Sequence, residues 1–130
     1  MALTINKIPE EGYKYIPKSE AEEKKPFAVW VKPLDKKDLF DLEDRMVQRQ
    51  GEEVYIAQGI FSFKVAQQGI IKWENINTED GKEIVLEHVD GVATEESIAN
   101  IPAEIITEVA GVISAISRDP ALAKVFFPDV

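Results

Sequence analysis

The sequence predicts a small α+β domain, and three features carry that expectation. One is a β-branched and aromatic run at 27–31, one is a turn-bearing stretch at 69–84, and one is a proline-started apolar stripe at 105–116. The expected architecture is a small antiparallel sheet or hairpin region, at about 27–33 and 54–88, packed with helices at about 36–48, 95–100 and 102–118. Residues 1–26 read as an extended, weakly ordered N-terminal arm, and 27–130 as a single globular domain. A chain of 130 residues suffices for one hydrophobic core without disulfide or metal staples.

Within the arm, Ser19 to Pro26 is charged, poor in apolar residues and closed by proline, the composition of a solvated linker. Tyr13, Tyr15 and Ile16 stand out in it as apolar anchors, either onto the same domain or onto a partner. Deleting residues 1–25 is expected to leave the domain folded. Phe27 to Val31 then reads as a strand ended by Lys32-Pro33, with Trp30 expected in the core. Asp35 and Asp38 favour a helix start, and Leu34 and Leu39 sit where a hydrophobic staple would place them. Leu39, Leu42 and Met46 form one stripe on that helix, with Phe40 and Val47 beside it.

Residues 54–68 carry two patterns. Ile56, Ile60 and Phe63 fit helical spacing, whereas Phe61, Phe63 and Val65 alternate as in a strand. The strand is the expectation, with a bulge or hairpin near Gly59. A hairpin follows, Ile70–Ile76 and Lys82–His88, turning at Asp80-Gly81, where glycine tolerates the positive φ of a tight turn. Thr94 caps a short helix, supported by Glu95 and Glu96 in its first turn. Pro102 occupies the first position of the next helix, and Asp119-Pro120 closes it. The stripe of Ile105, Ile106, Val109, Val112, Ile113 and Ile116 must be buried, against the domain's own sheet or in a subunit or client interface. Ala110, Gly111 and Ala115 are small enough to admit another helix, and Phe126 and Phe127 end an apolar coda also suited to contact.

The formal net charge is −9. Residues 1–50 hold ten Lys/Arg and ten Asp/Glu, while 51–130 hold five and fourteen, so the excess lies entirely in the second part. An acidic surface of this kind repels phosphate and argues against nucleic-acid binding. Cysteine is absent, which excludes thiol chemistry and cysteine-based zinc sites. The N-terminal stretch offers neither a signal-type apolar region nor a spanning segment, so a soluble, cytoplasmic protein without membrane association is expected. His88, the single histidine, stands beside Glu87 and Asp90 with no nucleophile-elbow serine in the sequence. A calcium loop centred on Gly81 would place Ile76 where the first carboxylate belongs. Adjacent carboxylates at 52–53, 79–80 and 95–96 diverge on either a strand or a helix. The expectation is therefore a non-enzymatic protein with no catalytic, cofactor-binding or metal-binding residues and no cofactor.

The order PFAVWVKPLDKKDL, GIIKWENINTEDGKEI and IPAEIITEVAGVISAIS, over residues 26–118, resembles small tail-module proteins of tailed bacteriophages and prophages, particularly the tail assembly chaperones. The residues that carry the resemblance are Trp73, Asn75, Asp80, Gly81, Pro102 and the stripe from Ile105 to Ile116. It implies a protein of the host cytoplasm that binds and solubilises the tape measure protein and helps recruit tail tube subunits, with homo-oligomerisation as a further expectation. The alternative is a structural virion protein of the tail or head-tail joining region. The candidate contact residues are Tyr13, Tyr15, Ile16, Ile105, Val109, Val112, Ile116, Phe126 and Phe127.

Overall fold

The structure is a computed structural model that describes residues 8–50, 53–56 and 58–128. In chain order its elements are β1 (Tyr13–Tyr15), β2 (Ala28–Val31), α1 (Lys36–Met46), β3 (Val47–Gln50), β4 (Glu53–Ile56), α2 (Gln58–Gly69) and β5 (Ile70–Glu74). They are followed by β6 (His88–Val89), β7 (Val92–Ala93), α3 (Glu95–Ile98), α4 (Ala103–Arg118) and α5 (Ala123–Phe126). Short 3-10 turns occupy Lys18–Glu20 and Pro120–Leu122. The fold is mixed α+β, as the sequence predicts.

Strands β1, β2 and β5 form an antiparallel sheet with β2 in the centre. Because side chains alternate across a strand, the register puts Tyr13, Val29, Val31, Ile70 and Trp73 on one face, and all five are buried. Lys14, Trp30 and Lys72 are directly opposite one another on the other face. Trp30 is only partly buried, a correction to its expected place in the core, which Trp73 takes instead. The two lysines lie over the Trp30 ring at 5.2 and 4.5 Å, and ion pairs to Glu74 (3.2 Å) and Glu11 (3.7 Å) hold them there.

The arm boundary at residue 26 also changes, because Tyr13–Tyr15 is the edge strand of this sheet. Gly12, at φ 81°, turns the chain into it, and a Cβ there would fall 2.7 Å from the carbonyl oxygen of Val31. Pro17 is fully buried, and the Phe27 amide donates to Glu20 Oε1 at 3.1 Å. The segment is thus tied down on both sides of its charged stretch.

The largest correction concerns 58–69, which is helix α2 rather than strand. Its buried residues are Phe61, Ser62, Val65, Ala66, Gln67 and Gly69, whereas Ile60 is 54% exposed. The strand expectation holds at β4, which pairs with β3 from Val47↔Ile56 to Gln50↔Glu53. Helix α1 therefore ends at Met46, earlier than the expected 48. Leu39 and Leu42 are buried on α1, and Phe40 is exposed. The side chains of residues 47–58, Val47 and Ile56 among them, lie outside the described residues.

The Asp80-Gly81 turn forms, with Gly81 at φ 85°, a bridge between Asn77 and Glu83, and the Ile84 amide donating to the Ile76 carbonyl at 2.9 Å. Its arms are shorter than expected. Asn75, at φ 62°, ends β5, and residues 84–87 form no strand. A second hairpin, β6–β7, turns instead at Asp90 and Gly91, both at positive φ as a two-residue hairpin requires.

Thr94 caps α3 as expected, its hydroxyl accepting from the Ser97 amide at 3.2 Å, and α3 ends at Ile98. Pro102 stands just before the first residue of α4 rather than within it. The α4 stripe is core: Ile106, Val109, Val112, Ile113 and Ile116 are all buried. They meet α2 at close range, because at Gly69 a Cβ would fall 2.6 Å from Ile113 Cδ1. The expected close-packing glycine, Gly111, is instead exposed with nothing near its absent Cβ. Ser117 Oγ donates to the Ile113 carbonyl at 2.6 Å and accepts from the Leu34 amide at 2.8 Å, joining α4 to the entry of α1. Arg118 pairs with Glu43 of α1.

Two stability measurements check this packing. Gly69→Ala is expected to cost about 1–3 kcal/mol in urea unfolding, as an overpacked contact does. Ile113→Val, which removes Cδ1, should recover part of that loss in a double-mutant cycle. Val109→Asp, which buries an unpaired carboxylate, should cost on the order of 4 kcal/mol or more and abolish the thermal transition. A variant that melts like the parent would mean that the stripe is exposed.

Candidate functional site

Four of the contact candidates converge where the two ends of the described chain meet. The Tyr13 and Phe127 rings stack at 4.8 Å between centroids and 12° between planes, and Tyr15 approaches Phe127 edge-on at 6.3 Å. Phe126 lies beside them, 6.3 Å from Phe127. Helix α4 fastens this clasp through Glu108, whose Oε2 accepts from the Tyr15 hydroxyl and, at 2.9 Å, from the Lys18 amide. One carboxylate thus takes two donors from the N-terminal segment, and charge-assisted bonds of this kind are the stronger class. Burial, reinforced by the bond to Glu108 and its negative charge, pushes the Tyr15 hydroxyl well above the usual tyrosine range.

Apolar side chains remain at the surface around the clasp. Ile16 is 39% exposed, Val125 70% and Phe126 39%, and each is a near neighbour in sequence of a clasp residue. Such exposures are ordinary singly, and these are the apolar side chains next to the clasp in sequence that stay open to contact. Tyr13 and Phe127 are themselves buried, so they belong to the inside of the clasp rather than to its surface. On α4, Val109, Val112 and Ile116 are buried and Ile105 is partly buried, which places these four inside the protein's own core rather than on a free face. Glu108 is the member that sequence reasoning missed, while Val125 lies within the apolar coda already marked for contact. Glu108 stood on the polar side of α4, and only its distance of 93 residues from Tyr15 in the chain hid the contact.

Other polar groups are spent on structure. His88 Nε2 donates to the Ile70 carbonyl at 3.2 Å, and Trp73 Nε1 donates to the Ile84 carbonyl at 2.8 Å. Lys64 pairs with Glu95 at 3.0 Å. Among the described residues, no group of three or more His, Asp or Glu side chains is placed to hold a metal ion. No helix among them is long and apolar enough to cross a membrane. Comparison with protein-family models, with curated proteins and with solved structures finds no match to this chain.

Two measurements test the clasp. Removing residues 1–25 deletes β1 and the Tyr13 stack; it is expected to cost about 2–3 kcal/mol or more, the worth of one large buried side chain, and to lower the melting temperature. This reverses the expectation from sequence. Tyr15→Phe, which leaves the ring and removes the hydroxyl, should cost about 0.5–1.5 kcal/mol at neutral pH. Tyr15 also gives a pH signature. Its folded pKa lies above the unfolded value of about 10, so above that pH the unfolded state binds fewer protons and stability falls. Urea midpoints between pH 9 and 11 should fall less steeply for Tyr15→Phe than for the parent.

Proposed function

We propose that this chain is a non-enzymatic, protein-binding assembly factor of the tail assembly chaperone kind. The observation that carries the reading is the clasp, beside whose residues in the chain Ile16, Val125 and Phe126 stay exposed. The client implied by the resemblance is the tape measure protein, with tail tube subunits as further partners and the host cytoplasm as the place of action. A long protein with exposed apolar helical faces is kept soluble when a partner covers them, and the partner's net charge of −9 keeps the complex dispersed. The stripe of α4 does not serve as the covering surface in this reading, because the protein's own α2 occupies it.

A permanent virion part is the competing role, and it would use an extended arm to lace onto a neighbouring subunit. Residues 13–15 of that arm are engaged in the protein's own sheet, which favours the chaperone.

Co-expression with the tape measure protein of the same genome tests the proposal. The tape measure protein should stay soluble and co-purify, and the complex should persist in 1 M salt, where the Debye length is about 3 Å and surface ion pairs are screened. The double variant Val125→Asp, Phe126→Asp should lose the client while keeping the parent's circular dichroism. Mass spectrometry of purified virions supplies the opposing outcome: stoichiometric amounts in mature particles would replace the chaperone with a structural role.

A further inference from the structure

Two Asp-Gly dipeptides, Asp80-Gly81 and Asp90-Gly91, stand at exposed turns in the same half of the chain. Such a dipeptide is open to attack on itself, because glycine puts no side chain between its own amide nitrogen and the carboxyl carbon of the preceding aspartate. The two turns are held differently. At the first, both reacting groups are engaged: the Gly81 amide donates to the Thr78 carbonyl at 3.0 Å, and Asp80 Oδ1 accepts from the Thr78 hydroxyl. The Thr78 amide, donating to the Lys82 carbonyl at 2.8 Å, and the Lys82 amide, donating to the Thr78 hydroxyl at 3.2 Å, close that turn a second time.

At the second turn neither the Asp90 carboxylate nor the Gly91 amide has a hydrogen-bond or ion-pair partner among the described residues. Asp90 is held at φ 52°, a left-handed conformation that costs an L residue free energy. The tip is closed only by the Val89↔Val92 pair of two-residue strands, and with Val89 63% and Val92 38% exposed, little burial opposes its opening. The base of the hairpin is fastened separately. His88 Nε2 donates to the Ile70 carbonyl, Gln67 Nε2 to the Ala93 carbonyl at 2.9 Å, and the Thr94 amide to the Glu87 carbonyl at 2.9 Å. The tip therefore opens at low cost while the rest of the fold stays closed.

We propose that Asp90-Gly91 is a site of spontaneous isoaspartate formation, a modification that the open hairpin tip permits and the bonded Asp80-Gly81 turn resists. The Gly91 nitrogen attacks Cγ of Asp90 in its neutral acid form. A new C–N bond replaces the C–OH bond, the amide proton and the hydroxyl leave as water, and a five-membered succinimide ring remains. Water then opens the ring. Cleavage at Cγ restores aspartate, whereas cleavage at the main-chain carbonyl leaves the chain running through Cβ and Cγ with the α-carboxylate free. One water is lost and one regained, nothing is oxidised or reduced, and the mass is unchanged. The link from residue 90 to 91 is then one carbon longer, which a two-residue turn does not accommodate, so the Val89↔Val92 pair is lost while the bonds at Ala93 and Glu87 remain. The site does not depend on the protein-binding reading.

The test is to incubate the purified full chain for weeks in neutral buffer and digest it with trypsin. Cuts after Lys72, Lys82 and Arg118 put the two sites on separate peptides, Trp73–Lys82 and Glu83–Arg118. Isoaspartate is read by electron-transfer fragmentation, and by an isoaspartyl methyltransferase that moves a methyl group from the sulfonium of S-adenosylmethionine onto the free α-carboxylate. In the folded protein, conversion at Asp90 should run about tenfold ahead of conversion at Asp80, the factor imposed when one or two ordinary hydrogen bonds must break first. In concentrated urea, where neither turn persists, the two rates should come together. Asp90→Asn suits the same left-handed position and forms the same ring with loss of ammonia, so it should convert faster than the parent, with the mass change of deamidation. In the aged fraction, hydrogen exchange at Val89 and Val92 should quicken while that at Ile98 and Ile113 stays slow. Conversion at Asp80 equal to or ahead of Asp90 in the folded chain, no conversion at Asp90, or no acceleration in Asp90→Asn would each overturn the proposal. So would a tenfold ratio that persists in urea, which would assign the difference to neighbouring sequence rather than to the fold.

Discussion

The inner face of α4 is the constraint on which the other elements depend. Five large aliphatic residues, Ile106, Val109, Val112, Ile113 and Ile116, are removed from water along one helix. At roughly 1.5–3 kcal/mol each they are the largest aligned block of apolar burial in the fold. Burying them dictates a close neighbour, and α2 meets the requirement by ending in Gly69, where the helices approach too closely for a side chain. From the same helix, Ser117 reaches the entry of α1, Arg118 pairs with Glu43, and Glu108 secures the N-terminal segment. The N-terminal segment, α1 and α2 are therefore all fastened to one element.

That element was legible in the sequence, as was β2, because several signals agreed at each. Proline at the start, acid in the first turn and aliphatic residues at helical spacing all indicate α4. Helix α2 was illegible for the opposite reason. Its buried face includes Ser62, Ala66, Gln67 and Gly69, small or polar residues that carry little hydrophobic signal, while Phe61, Phe63 and Val65 happen to alternate. Packing against α4 overrides that local pattern. The strand β1 has only three residues, and its stability comes from Val29 to Val31, Glu108 and Phe127, all remote in sequence. Trp30 and Trp73 show a further limit. An uninterrupted apolar run announces a strand without saying which of its faces is covered. The Asp90-Gly91 turn, by contrast, carried the same readable dipeptide as Asp80-Gly81 and lay within reach of sequence reasoning. Of the candidate site, the aromatic residues were visible and their convergence was not.

Charge acquires a structural meaning once the sheet is seen. Lys14 and Lys72 are engaged with Trp30 and with Glu74 and Glu11, so much of the local positive charge is compensated where it stands. The carboxylates of the hairpin region have fewer partners, and Glu83 and Glu87 have no ion pair among the described residues. The outer face of the sheet is closed off by lysine stems covering an indole, and side chains of Trp73 and His88 tie β5 to the segment that follows it.

The clasp also has a consequence in time. Tyr15 and Glu108 are separated by 93 residues, and Phe127 lies farther still along the chain. During vectorial synthesis the β1 segment leaves the ribosome long before either of its anchors exists. Closing so large a loop carries an entropic penalty that grows only as the logarithm of its length, but nothing offsets that penalty until α4 has formed. The nascent chain therefore passes through a period in which its first strand is untethered and the central strand exposes an edge, the interval in which a growing polypeptide is most open to mispairing with its neighbours on a polysome.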